Sequence, residues 1–572
     1  MCGFTGLLNR SVGADESAIA QRMNNAIIHR GPDSEGYWHD AQTGISLAHR
    51  RLSILELSPA GAQPMLSHSG RYVIAFNGEI YNHLQLRREL TADWCGLSDT
   101  ETLLAGFDHW GIIQTLKRSV GMFSFAVWDK RDRILTLARD RLGEKPLYYG
   151  WQGYGESAVF LFGSELKALR AHPAFSAEIN RDALALFMRH NAIPAPYSIY
   201  RDIYKLSPGS LLSLSLQYPE PSIRTYWSGA SIAQTGVEKP FSGTSEQAVD
   251  SLEQLLKNAV LGQMQADVPL GAFLSGGIDS TLIVALMQAQ SASPIKTFTI
   301  GFHEKFYDEA GHARAVAKHL GTDHTELYIT ADQALDVIPQ LPKIYDEPFA
   351  DSSQIPTILV SQLARQKVTV SLSGDGGDEL FSGYNRYRYT ARMWKVMSCI
   401  PQPLRRLLAK ALMGISPHMW NKLSMDKLGN IGGRLHKAAG VLTSPSQDAL
   451  YLGLVSHWNE TDAVVIGGNE PPTLLTENKP RLQNLSAIER MMALDMLTYL
   501  PDDLLTKVDR AAMSVSLETR MPFLDHRVVE FAWQLPLGYK LREGHTKWIL
   551  RQVLDRYVPN HLIDRPKMGF GV

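Results

Sequence analysis

The 572-residue sequence predicts two folded units in series: an α+β domain, then an α/β domain on a parallel, doubly wound sheet. Three observations carry this. Short apolar runs ending in polar residues recur along about the first 215 residues, the mark of strands with polar groups at their ends. From Glu246 onward, helical and strand patterns alternate. Two glycine-rich, acidic turns follow two of those strands, at the strand ends where doubly wound sheets hold ligands.

Composition narrows the class. Apolar content of 44% and charged content of 20% are those of an ordinary globular protein. Lys+Arg 57 against Asp+Glu 58 leaves a net charge of −1, so no global field draws in nucleic acid or acidic lipid. Cys2, Cys95 and Cys399 are too few and too scattered for a disulfide framework or a zinc site, which predicts a reducing compartment. The N-terminus lacks the basic-then-apolar pattern of a signal peptide, and no run approaches the ~20 apolar residues that cross a bilayer. The expectation is a cytoplasmic protein with no nucleic-acid partner and no membrane insertion.

In the first unit, assigned to residues 1–215, Cys2 follows the initiator Met directly. Removal of Met1 leaves a thiol nucleophile whose own α-amine, with an ordinary pKa of about 8, can take its proton. If Met1 is retained, that amine is absent. Cys2-Gly-Phe-Thr-Gly-Leu-Leu reads as a first strand that ties the terminus into a sheet. Further apolar runs end in His29-Arg-Gly-Pro-Asp33, His49-Arg-Arg51-Leu-Ser-Ile54, Asn77-Gly78-Glu79 and Ser98-Asp99-Thr-Glu101. By local rules Asn77-Gly78 is a hairpin turn, and Arg51 and Asp99 are surface charges. The charge-rich stretch Arg139-Asp-Arg141-Leu-Gly-Glu-Lys145 passes as a solvated loop.

Taken with Cys2, these strings resemble the class-II glutamine amidotransferase domain, an N-terminal-nucleophile sandwich of two sheets between helical layers (αββα). The resemblance implies that Cys2 attacks the side-chain amide of glutamine, with Asn77 and the Gly78 N–H as oxyanion hole. It implies a glutamine pocket of Arg51, Leu52, Ser53, Ile54, Leu55, Asn77, Gly78, Glu79 and Asp99. Arg51 would bind the substrate α-carboxylate, and Glu79 and Asp99 its α-ammonium.

Residues 216–245 predict a linker, since the stretch 228–246 is small, polar and rich in Gly and Ser. The second unit, 246–572, opens with a helix carrying Val249, Leu252, Leu256 and Val260 at helical spacing. A strand then runs into Ser275-Gly-Gly-Ile-Asp279-Ser280 and a helix. Gly276 and Gly277 let backbone N–H groups approach an anion, the following helix offers its positive end, and Ser275 and Ser280 add hydroxyls. This is a phosphate cradle, though not the Walker type. Asp279 would repel a phosphate unless a divalent cation lay between them. A second strand ends in Ser373-Gly374-Asp375-Gly376-Gly377-Asp378-Glu379, which makes Asp279 and Asp378 the natural ligands of a bridging Mg²⁺.

With both turns present, the second unit resembles the ATP-pyrophosphatase domain of glutamine-hydrolysing asparagine synthetases. Supporting strings are Asp346-Glu-Pro348, Leu500 through Arg510, and Ser516 through Asp525. The family chemistry is adenylation of a carboxylate by ATP, then attack of ammonia on the acyl-AMP. Carried over, Leu274 and Ile300 flank the adenine, Ser373 and Gly374 complete the nucleotide pocket, and Lys547 neutralises the transferring phosphates. Asp375 departs from the Glu that synthetases proper often carry as base for the ammonia step, which opens the identity of the acceptor carboxylate. The resemblance allows for a homodimer. The string Arg565 through Val572 stops where relatives continue. The expected reaction is glutamine-dependent asparagine synthesis. Amidation of another carboxylate, such as a uronic acid, is the alternative within the family, and a non-catalytic nitrogen or nucleotide sensor the alternative outside it. Residues 380–425 hold eight Lys/Arg and no acid, read as a solvated helical face in preference to a membrane contact.

Overall fold

The computed structural model describes residues 2–10, 16–302, 309–423, 431–476, 482 and 484–564. Met1 and the terminal string 565–572, on which methionine removal and the chain end were read, lie outside the described residues.

The first unit is built from β1 (Gly3–Asn9), β2 (Ser34–Asp40), β3 (Ile45–Arg51), β4 (Met65–Leu66), β5 (Tyr72–Ile80), β6 (Gly121–Asp129), β7 (Ile134–Arg139), β8 (Tyr148–Gln152), β9 (Val159–Gly163), β10 (Tyr204–Lys205), β11 (Ser210–Leu214) and β12 (Ser222–Thr225). They form two six-stranded antiparallel sheets, ordered β10-β8-β9-β1-β3-β2 and β12-β11-β7-β6-β5-β4. Alternation puts Phe4, Leu47 and Phe162 of one sheet against Val73, Ala126 and Leu137 of the other. The outer faces are covered in turn. Leu7 and Leu161 pack beneath the helices Glu16–Asn25 and Arg181–His190, and Ile74 and Phe76 beneath Asp99–Trp110. This is the αββα sandwich.

The second unit holds a five-stranded parallel sheet of β13 (Leu270–Phe273), β14 (Lys296–Phe302), β15 (Asp323–Ile329), β16 (Val370–Leu372) and β17 (Glu518–Arg520), in the order β15-β14-β13-β16-β17. The chain moves outward from β13 to β15 and then returns to the other side of β13. Its switch point therefore lies between β13 and β16, the two strands that lead into the glycine-rich turns. Helices cover both faces: Ser245–Gln263, Ile278–Ala289 and Trp548–Leu554 on one, Gln354–Arg365 and Leu505–Met513 on the other. A set of further helices follows from Asn385.

Three expectations change. The stretch 216–245 is folded, not a linker. It contains β12 and a helix, Gly229–Glu238, capped by the Ser228 hydroxyl and packed on the helix His526–Gln534. Its small residues serve that contact, since a Cβ at Gly236 would lie 2.7 Å from the Trp533 backbone. Asn77-Gly78 is no hairpin but mid-strand in β5, paired with Ser124 and Phe123. The stretch Arg139–Lys145 is buried, because the Asp140 carboxylate accepts N–H groups of Leu142, Gly143, Glu144 and Lys145 at 2.7–3.2 Å and Arg139 donates to three backbone carbonyls. These internal hydrogen bonds replace water for Asp140 and Arg139.

Candidate active sites

Cys2 enters β1 beneath the free edge of β5. Its backbone nitrogen donates to Asn77 Oδ1 at 3.1 Å, and its thiol lies 3.8 Å from the Leu52 carbonyl. Burial pushes the thiol pKa up. β4 pairs with β5 only at Val73 and Ile74, so the rest of that edge is open. Phe76 N–H donates there to Gln63 and Ile80 N–H to Asp99, both at close range. Between them the Gly78 N–H, on the same edge by strand alternation, has no partner among the described residues. Asn77 Nδ2 is likewise buried without a hydrogen-bond partner. Two unspent donors thus stand beside one thiol, the provision an oxyanion needs. Gly78 must be glycine, because a Cβ there would lie 2.2 Å from the Met122 carbonyl.

The other predicted pocket residues surround this point. Arg51 is buried, with two of its five donors on the carbonyls of Glu56 and Ser58, leaving the rest of its fork for a ligand. Leu52 and Ile54 are buried in the core of the second unit. Ser53 N–H donates to Asp33, and Leu55 is half-buried. The loop is clamped across the seam by Asp267, which donates to the Ile54 carbonyl and accepts from Glu56 N–H, both at 2.9 Å. Asp99 has its pKa raised to about 6 by burial. Glu79 is held well above the carboxylate range by burial and by Asp99, and its Oε1 lies 3.4 Å from Arg520 of the second unit. Glu79 thus faces the seam as well as the pocket, an approach between the two units that has no local signature in the sequence.

The seam also holds residues that pattern alone passed over. Arg30, fully buried, donates to the Cys2 carbonyl at 3.1 Å, to Glu165 at 2.8 Å, and with two nitrogens to Asp509 at 2.8 and 3.0 Å. Arg510 reaches the same Glu165 at 2.8 Å. Asp509 and Arg510 lie on the helix Leu505–Met513. From that same helix Lys507 reaches away to Asp351 at 2.8 Å and Ser353 at 2.7 Å. The signal was present in His29-Arg-Gly-Pro-Asp33 and in Leu500 through Arg510, but nothing local says that two charges 479 residues apart will meet.

Beyond the helix lie the two glycine turns, and they touch. Gly276 adopts φ +71°, where a Cβ would press within 2.9 Å of the Ala313 nitrogen. Ser275 and Ser280 hydroxyls meet at 2.9 Å, and the Gly277 N–H reaches Ser275 Oγ at 3.3 Å. A Cβ on Gly374 would lie 2.6 Å from the Ser280 nitrogen, and one on Gly377 2.8 Å from the Asp279 carboxylate. Glycine at both positions lets the turns nest, against backbone at Gly374 and against the Asp279 carboxylate at Gly377. Lys547, in left-handed backbone (φ +54°), directs its ammonium between Asp279 and Asp378, 2.5 Å from the latter. Burial pushes that lysine pKa down, and the two carboxylates overcome the effect and raise it. Ser373 donates to Asp375 at 2.8 Å, and burial raises the Asp375 pKa. Leu274 and Ile300, expected to flank adenine, are buried in the core, with Leu274 N–H bonded to the Phe298 carbonyl. A cavity of about 490 Å³ opens beside Asp351 and is walled also by His190, Asn191, Arg386, Asp495 and Tyr499.

Comparison with known proteins gives a family for each unit. Residues 1–227 match the model of the glutamine amidotransferase domain, and residues 251–572 that of asparagine synthase. The chain is 34% identical to asparagine synthetase [glutamine-hydrolyzing] 1 of Bacillus subtilis, over all of this chain and 87% of the relative. Asparagine synthetase [glutamine-hydrolyzing] 3 of the same organism is 29% identical with the same coverage. Amidase chry2 of Gibberella zeae is 24% identical over all of this chain and 88% of that protein. Matched by both family models and over its whole length by the first of these relatives, the chain belongs to the glutamine-hydrolysing asparagine synthetase family of ATP-dependent carbon–nitrogen ligases.

Proposed function

We propose that this enzyme moves the amide nitrogen of glutamine onto aspartate, with two units that divide near residues 216–245. In the first step, with Met1 removed, the Cys2 thiol is deprotonated by its own α-amine and attacks the glutamine side-chain carbonyl. The oxyanion receives the two donors left unspent, Asn77 Nδ2 and Gly78 N–H. Arg51 binds the α-carboxylate, and Asp99 with Glu79 the α-ammonium. Ammonia leaves, and water hydrolyses the thioester to glutamate.

In the second unit ATP lies across the turns Ser275–Ser280 and Ser373–Gly374. The substrate carboxylate attacks the α-phosphorus and pyrophosphate departs. Ammonia then attacks the acyl carbon, AMP leaves, and Asp375 takes the surplus proton. Asp279 and Asp378 suit a divalent cation, because both carboxylates converge on one cationic group, the Lys547 ammonium. Mg²⁺ held there would neutralise phosphate charge and orient the leaving pyrophosphate. Free ammonia at neutral pH protonates, so an enclosed route between the units is the physical reason to join them.

One observation carries this reading: a single helix, Leu505–Met513, faces both centres, with Asp509 tied through Arg30 to Cys2 and the Lys507 ammonium within electrostatic reach of Asp375 in the second glycine turn. Pyrophosphate release, measured with aspartate and a panel of other carboxylates, tests it. Release with aspartate supports the reading, and release with another acid alone moves the acceptor. The second possibility is favoured by Asp375, a methylene shorter than the usual base, and by the cavity of about 490 Å³ beside Asp351, roomy for an aspartate.

A further inference from the structure

The basic segment that the amide chemistry leaves unused is built differently from a solvated helix. In the helix Gln402–Met413 the inward position is taken by Arg405, which donates to the carbonyls of Ile400, Leu442 and Ser444 and so caps the end of the helix Ile431–Leu442. Arg405 and Ala409 are the buried residues of this helix. With the guanidinium fixed inside, rotation of 100° per residue turns the leucines outward. Leu404, Leu407 and Leu408 are 49%, 66% and 42% exposed, and Ala411 completes an i, i+3, i+4, i+7 stripe. Met413 and Met419 are more than half exposed as well, as is Val396 on the preceding helix, Asn385–Met397. A solvated face would carry its apolar residues inside and its arginine outside. This helix has the reverse arrangement.

Charge says what fits it. The segment 380–425 contains no acidic residue. Of its eight basic residues, Arg386 pairs with Asp495, Arg388 donates to the Gly544 carbonyl and Arg405 is buried. Arg392, Lys395, Arg406, Lys410 and Lys422 have no ion-pair partner among the described residues, and Arg406 and Lys410 run together along one side of the leucine stripe. The chain as a whole is close to neutral, so this positive charge is local. We propose that the helix Gln402–Met413 is an interfacial docking face for an anionic phospholipid surface, its leucines entering the acyl boundary and its lysines and arginines meeting the headgroups. A second copy of the chain fits poorly, because self-pairing of this face brings unpaired cations together. The leucines stand on a convex helix and line none of the cavities described, whereas a lipid surface adapts to them without a preformed groove.

The full chain sedimented with vesicles tests this. It pellets with vesicles of phosphatidylcholine containing phosphatidylglycerol, stays in solution with phosphatidylcholine alone, and is released by added salt. Leu407→Glu, or Arg406→Glu with Lys410→Glu, lowers the bound fraction by about tenfold or more, while glutamine hydrolysis at Cys2 is unchanged. Failure to pellet with the anionic vesicles, or equal binding by the variants, overturns the proposal. So does a concentration-dependent dimer, or binding to an acidic protein, that Leu407→Glu abolishes without any vesicle binding by the parent chain.

Discussion

The two centres of this molecule are prepared in opposite senses. Around Cys2 the charged groups are already matched, with Arg30 to Asp509 and Glu165, Arg520 to Glu79, and Arg51 to loop carbonyls. What is left over beside the thiol is one amide and one backbone N–H, with the rest of the Arg51 fork open to a ligand. At the glycine turns the reverse holds, for two carboxylates are drawn onto one lysine. The first site suits a substrate that enters with its charge fixed at one end and develops a negative oxygen at the other. In the function proposed here, the second must exchange partners when a polyanion and its cation arrive. Preorganised donors lower a barrier without moving, whereas a cluster held by its own lysine has to open.

Substitutions that separate these behaviours rank by size. Cys2→Ala removes the nucleophile and cuts glutamine-dependent synthesis by roughly a thousandfold or more. It spares synthesis from added ammonium, and product analysis with each nitrogen source reads the split. Loss of both would break the division between centres. Asn77→Ala deletes one of the unspent donors and lowers glutaminase kcat by about a hundredfold or more, with ammonium-driven synthesis retained. An unchanged kcat would mean that the oxyanion lies elsewhere. Asp279→Asn or Asp378→Asn slows pyrophosphate release by about a hundredfold while glutamine hydrolysis survives. Titration of that release with Mg²⁺ shows whether the lost charge was a metal ligand.

Smaller effects sharpen the link between the sites. Arg30→Lys keeps a charge but loses the fork that joins the Cys2 carbonyl, Glu165 and Asp509. Glutamate formed per amide product should rise severalfold at nearly constant glutaminase rate, and a stoichiometry that stays matched would remove Arg30 from the coupling. The smallest effect is in pH. Burial holds Asp99 at about 6, and in the role proposed for it protonation cancels the charge that attracts the glutamine α-ammonium. KM for glutamine therefore rises as pH falls through about 6, and Asp99→Asn flattens that rise.

Much of this was legible in the residues because it is local. The glycine turns declare themselves by composition, and the close approach of Gly374 to the Ser280 backbone shows why glycine is required there. Strand alternation sufficed for the two sheets. Reading stopped where long-range packing decides. Gly and Ser in 228–246 mark flexibility as readily as close helix contact, and only Trp533 against Gly236 distinguishes them. A charged run such as Arg139–Lys145 looks solvated until its internal hydrogen bonds are seen. Leu404 through Ala411 look like an ordinary amphipathic face, and the buried Arg405 reverses it. The pairing of Arg30 with Asp509 has no local signature at all.

The central claim is that nitrogen passes from the Cys2 centre to the nucleotide centre without entering solvent. The enzyme is given glutamine labelled with ¹⁵N in its side-chain amide, an excess of unlabelled ammonium, ATP, and the carboxylate that supports pyrophosphate release. A product amide that carries the glutamine label undiluted is the expected result. A product whose isotope content follows the ammonium pool would contradict it.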